Sequence, residues 1–175
     1  MGEQLTRPGE VPAARPVVGF RNWRIFRAGA TEGRLSSPYF PVVWSERVLR
    51  AECRRFRSPE DLLEEPHAAP SPGCGCGISA YHLPTGDFSK IDFRGVSGIV
   101  TVWGRVEAGP DGMRAEHARV EALATYSRWS RSQQNAVAAV ADDLGVDVVE
   151  LHDLEAAAVN YGSALPASLL SGARP

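Results

Sequence analysis

The chain has 175 residues, 43% of them hydrophobic and 23% charged, with a formal net charge of −2 at pH 7. That size holds one well-buried domain and excludes two full-sized ones. The composition excludes a fully disordered chain, and the charge balance provides no global field for nucleic acid or anionic lipid. No apolar run approaches the ~20 residues of a membrane-spanning helix, and the first residues lack the apolar stretch of a signal peptide, so a cytoplasmic protein with no membrane partner is expected.

Residues 1–16 carry prolines at 8, 12 and 16 and glycines at 2 and 9, which interrupt any periodicity and predict a flexible leader. From Val17 to Ile25 the chain alternates, with Val18, Phe20 and the stem of Arg24 on one side and Val17, Arg21, Trp23 and Ile25 on the other. This is the pattern of a strand. A turn is expected over 28–33, and the segment from Leu35 to Trp44, broken by Pro38 and Pro41, reads as an irregular or edge strand. Residues 46–56 fit either a strand ending at Cys53 or a short helix. Ser58-Pro59-Glu60-Asp61 predicts a helix start that Pro66 limits to about two turns.

The segment from Ser97 to Glu107, rich in β-branched and aromatic residues, predicts the strongest strand. Gly109-Pro110-Asp111-Gly112 is a turn, and Met113 to Leu123 alternates as the returning arm of a hairpin. Ser130 with Gln133 forms a capping box ahead of an apolar stripe of Val137, Val140, Ala141 and Leu144, which Gly145 closes. A strand over 146–151 follows, then a short helix that Asp153 is expected to cap, through Tyr161. Residues 162–175 read as a frayed tail. The fold class expected is α+β: one domain over 17–161 with a β-rich body, a zinc-bearing loop lobe at about 53–77 and a C-terminal helix-strand-helix.

Cys53, His67, Cys74 and Cys76 fall within 24 residues and supply the four soft ligands of a tetrahedral Cys₃His zinc site. Three cysteines are an odd number, which argues against a disulfide framework and for reduced thiols or a metal. The Cys74-Gly75-Cys76 pair sits among Gly73, Gly75 and Gly77, whose backbone freedom lets both sulfurs turn to one centre. A complete ligand set implies a structural Zn²⁺, because a catalytic metal keeps one position for water. His82 is the substitute fourth ligand if His67 points away. The readings without metal are a buried Cys53 beside an unmetallated loop, or a redox pair at Cys74 and Cys76.

Gly19-Phe20-Arg21-Asn22-Trp23, the stretch from Cys74 to Ala80, Val102-Trp103-Gly104-Arg105-Val106 and Gly112-Met113-Arg114-Ala115-Glu116 together resemble a family of bacterial, largely actinobacterial, proteins of unassigned function. The resemblance covers about residues 17 to 123 and implies no activity. Ser79 and Met113 stand where that family pattern leads one to expect tyrosine, which argues against a catalytic phenol at either position. A looser similarity, to small β-barrels of the PUA type, rests on a Gly-x-Val strand followed by a charged returning strand and implies RNA or modified-base binding.

Three functional classes follow. A non-enzymatic binding or adaptor module, stabilised by the zinc and contacting a protein partner, is preferred. The alternative is an RNA- or DNA-binding module using the arginine-rich stretch 47–57, including Arg50, Arg54, Arg55 and Arg57, with Arg105 and Arg114 of the hairpin as a further anion-binding pair beside Trp103. The plainer reading of these charges is a solvated face, since Glu60, Asp61, Glu64 and Glu65 follow the basic stretch and the hairpin charges can pair across the sheet. Third is an enzyme with a reactive Cys74, for which His117 and Glu116 are available as base and orienting acid although no spacing recommends them.

Overall fold

The computed structural model describes residues 16–27, 33–38, 42–53, 67–84 and 95–166. The leader, most of the turn over 28–33, the helix expected from Ser58, and Arg54, Arg55 and Arg57 lie outside them. The described chain is β-rich with a C-terminal helical part, in keeping with the α+β expectation. Its strands are β1 (Val17–Arg27), β2 (Gly33–Ser36), β3 (Val43–Trp44), β4 (Val48–Arg50), β5 (Ile78–Tyr81), β6 (Gly95–Ala108) and β7 (Gly112–Thr125). Helix α1 (Arg131–Leu144), strand β8 (Asp147–Glu150), a 3₁₀ turn (Leu151–Asp153) and helix α2 (Leu154–Ala158) follow.

The long hairpin of β6 and β7 is the frame. Its turn closes where Gly109 N–H donates to the Gly112 carbonyl at 2.7 Å, and the arms pair from Ala108↔Met113 to Gly98↔Leu123 with register shifts at Ile99/Val100 and Trp103/Val106. At Gly98 only a glycine fits, because an added Cβ would lie 2.2 Å from the Ala122 carbonyl oxygen. Strand β1 runs antiparallel along the free edge of β6 from Val17↔Val102 to Arg24↔Gly95. Strand β5 pairs with β7 and, at Phe20↔Tyr81, with β1, so β1, β6, β7 and β5 form a closed ring. The proline-broken segment after β1 pairs as expected of an edge, through the short β2 and β3.

The second edge of β7 is divided among three strands. Moving along β7, β5 takes Gly112 to Ala115, β4 takes His117 to Arg119, and β8, the parallel partner, takes Ala122 to Thr125. Of the undecided segment 46–56, Val48–Arg50 form a short strand that stops before Cys53, and 54–56 lie outside the described residues. β-sheet alternation then sorts the core. Trp23, Trp44, Val96, Val100, Val102, Ala118, Val120 and Leu123 enter the main cluster, whereas Val18, Phe20, Ile99, Ala122 and Ala124 enter a second one.

Helices cover both clusters. Ser130 Oγ accepts from Gln133 N–H at 3.3 Å while Gln133 Oε1 accepts from Ser130 N–H at 3.0 Å, the reciprocal box that the sequence predicts. Gly145 ends α1 in the left-handed region at φ 63°. Val137, Val140 and Ala141 of α1 are buried in the main cluster, and Leu154 and Ala158 of α2 in the second. One C-terminal expectation is corrected: Asp153 makes no side-chain capping bond. Of the tail expected over 162–175, Ser163 bridges to Val17 and Leu165 is buried in the main core, and 167–175 lie outside the described residues.

Between the sheet and its covering, Glu121 is 2% exposed. It accepts from Thr101 Oγ1 at 2.5 Å, Arg119 Nε at 2.7 Å and Arg47 Nη2 at 2.8 Å. Full satisfaction of this kind is the condition for keeping a carboxylate out of water.

Gly98→Ala tests the hairpin register. The added methyl meets backbone rather than a movable side chain, so urea denaturation should show a loss of about 1–3 kcal/mol in unfolding free energy.

Candidate metal centre

The ligands converge because of how β7 shares its edge. Strands β4 and β5 are both antiparallel to β7, so they run in the same direction, and β4 ends where β5 begins. Arg50 faces His117, Ala51 N–H then donates to the Glu116 carbonyl at 2.7 Å, and β5 opens at Ile78↔Ala115. Cys53 leaves this junction two residues after Ala51, and Cys76 enters it two residues before Ile78.

At that point the donor atoms of Cys53, His67, Cys74 and Cys76 lie within 4.8 Å of one another, all four residues half-buried. Cys53 Sγ is 3.7 Å from Cys74 Sγ, and Cys76 Sγ is 3.4 Å from His67 Nε2. With metal–sulfur bonds of ~2.3 Å and a metal–nitrogen bond of ~2.0 Å, a tetrahedral zinc sets these separations at about 3.8 and 3.5 Å. The cluster is compatible with a zinc site. His67 is the histidine in it, whereas His82 is engaged at the hairpin turn, its Nε2 2.8 Å from the Gly109 carbonyl.

The loop reaches this shape through Gly73 and Gly77, at φ 79° and 111°; the intervening Gly75 needs no such conformation. At Gly77 a side chain is also sterically opposed, since a Cβ would lie 3.0 Å from Pro70 and 3.1 Å from Arg114.

Two arginines bind the loop to the hairpin. Arg114 Nη1 donates to the Cys74 carbonyl and, at 3.3 Å, to that of Cys76, while Nη2 pairs with Glu107 at 2.6 Å across the strands. Arg105, swung out by the bulge after Trp103, donates to the carbonyls of Ala68 at 3.3 Å and Pro70 at 3.1 Å. The pair expected beside Trp103 thus faces loop backbone.

A hydrogen bond from the Cys76 backbone N–H is the main cause that holds the Cys74 thiol down to about 7. Burial is the main cause that pushes Cys76 up to about 11, and charge on Cys74 and Cys53 adds to it. Each thiolate therefore makes the next more costly, and a dication among them removes that cost. Three thiolates around a divalent ion leave one net negative charge, which the guanidinium of Arg114 stands beside.

The other residues singled out by sequence lie elsewhere. Arg50 is an exposed partner of Glu116 at 3.2 Å. His117 stacks on Trp103 with centroids 5.4 Å apart and planes 9° from parallel, while the Cys74 sulfur faces Cys53. The grip of Arg105 and Arg114 on the loop carbonyls is what sequence reasoning missed; their place on a hairpin was visible, but the loop they reach is 35 to 40 residues away. Comparisons with protein-family models, curated proteins and solved structures found no match, so the site stands on its own geometry.

Replacing Arg114 by Met removes the bonds to both cysteine carbonyls. Metal affinity, measured by competition with a chromophoric chelator, should fall about 10- to 100-fold, as for other residues that orient metal ligands.

Proposed function

We propose that this chain is a non-enzymatic binding module, held in shape by one structural zinc ion on Cys53, His67, Cys74 and Cys76, and that it acts by contacting a protein partner in a reducing compartment. The observation that carries the zinc is the pair of separations, 3.7 Å between Cys53 and Cys74 and 3.4 Å between Cys76 and His67. Four protein ligands leave no position for an activated water, which favours a structural over a catalytic metal. The loop from 67 to 77 buries little apolar surface apart from Ala69 and Pro70, so a metal is the natural source of its stability.

Charge pairing supports a protein rather than a nucleic-acid partner. Among the described residues, Arg47 and Arg119 neutralise Glu121, Arg50 meets Glu116, and Arg114 meets Glu107. A phosphate backbone requires cations whose field is not already cancelled by acids.

Protein purified without added metal should contain about one zinc per chain by elemental analysis; a metal-free protein with full stability would end the proposal. Cys74→Ser should lose the metal and make the loop susceptible to proteolysis while the β6–β7 hairpin persists, whereas a fully folded, metal-bound Cys74→Ser would contradict the structural role. Steep loss of RNA or DNA binding with added salt would favour the nucleic-acid alternative instead.

A further inference from the structure

Arg21 is a buried cation with no carboxylate bonded to it among the described residues. It projects from β1 on the side of Trp23 and Ile25 and is only 9% exposed. Nη1 donates to the backbone carbonyl of Ser79 and, at 3.0 Å, to its hydroxyl; Nη2 donates to the hydroxyl of Ser37 at 2.9 Å. All three acceptors are neutral, and no carboxylate among the described residues pairs with it. Burial accordingly lowers its pKa to about 10, with only the Tyr81 phenol acting in the other direction.

The surroundings add donors without acceptors. The Arg21 guanidinium carbon lies 5.9 Å from the Trp23 ring centroid and 5.5 Å from that of Trp44, and the two rings are 5.6 Å apart. Arg21 Nε, Trp23 Nε1 and Trp44 Nε1 are all buried without a hydrogen-bond partner. Cation–π attraction offsets part of the charge, but it accepts none of these N–H groups. Two buried indole donors beside the cation, together with its own Nε, are left without partners and require an explanation, and a bound anion supplies it.

Arg21 reaches towards the rim of the sheet. On the edge of β1 opposite β6, pairing with β5 occurs at Phe20 and pairing with β2 begins at Arg24, which leaves 21–23 between them. Arg21 bridges that gap to Ser79, which is exposed, and to Ser37, which is half-buried.

We propose that Arg21, with Ser37, Ser79 and the indole N–H groups of Trp23 and Trp44, forms a binding site for one carboxylate of a small organic acid or a peptide. A single guanidinium neutralises a single negative charge, and among the described residues no second cation bonds to Ser37 or Ser79 to balance the nearly doubly charged phosphate monoester. The serine hydroxyls accept from Arg21 and so keep their own protons to donate to the ligand.

The test is an NMR titration of the protein as purified with sodium acetate at constant ionic strength, following the indole N–H signals of Trp23 and Trp44. Both should shift saturably. Ser79→Ala, a change at the exposed rim, should raise the apparent Kd about tenfold or more, the size expected for losing a hydrogen bond to a charged group. Arg21→Met should abolish the response, provided near-UV circular dichroism shows it folded. Inorganic phosphate should bind more weakly than acetate. Absence of saturable shifts in the wild type, unchanged affinity in Ser79→Ala, or tighter binding of phosphate would each overturn the assignment. Propionate against a peptide ending in a free carboxylate, each compared with its amide, then separates the two sources.

Discussion

A strand has two hydrogen-bonding edges, and the whole described structure depends on how β7 uses its second one. The first is occupied along most of its length by β6. The second accommodates β5, β4 and β8 end to end. Three segments far apart in sequence are thereby aligned on one template, each too short to persist alone. The template in turn needs both core clusters, because β7 presents Ala118, Val120 and Leu123 to one and Ala122 and Ala124 to the other.

The Cys/His cluster follows from that alignment. Where β4 stops and β5 starts, backbone pairing passes from Glu116 to Ala115 in one step, and the chain ends flanking the junction carry Cys53 on one side and Cys74 and Cys76 on the other. The thiols are held together by the strands before any ion is considered. Burial is then the main term against their ionisation, as the upward displacement of Cys76 shows, with charge on Cys74 and Cys53 adding to it, and the backbone N–H groups of Cys76 and Ser71 counter it locally. A preformed, electrostatically unfavourable cluster of soft ligands is what a divalent cation binds well.

How much of this was readable in the sequence differs between local and distant features. Hairpin, capping box and terminal glycine were readable because each is decided within a few residues: the turn at 109–112, the Ser130–Gln133 reciprocity and the left-handed Gly145. The four ligands were also readable, since soft donors at such density have few alternative uses. The segment around 46–56 was not, because its strand character comes from β7 rather than from its own alternation. Nor was the work of Arg105 and Arg114 as clamps on loop carbonyls, which depends on the bulge at Trp103/Val106. Arg21 had a signal: alternation placed it on the same side as Trp23 and Ile25, a charge on an apolar face. Its partners, however, lie on other strands.

The Cys/His cluster and Arg21 are joined by β5. That strand has four residues; it pairs with β7 throughout but with β1 only at Tyr81. Its start is two residues from Cys76, and its second residue, Ser79, accepts from Arg21 through both carbonyl and hydroxyl. A short strand fastened on one edge is prone to fraying. Anchoring Cys74 and Cys76 therefore fixes the height at which Ser79 meets the guanidinium, and the guanidinium in turn restrains the strand that leads to the cysteines. The loop glycines at 73 and 77 keep this connection free of strain. On this physical ground a lobe with little core of its own is positioned by three ties that meet on one strand: thiolates at its beginning, Arg114 beside it on β7, and Arg21 at its middle.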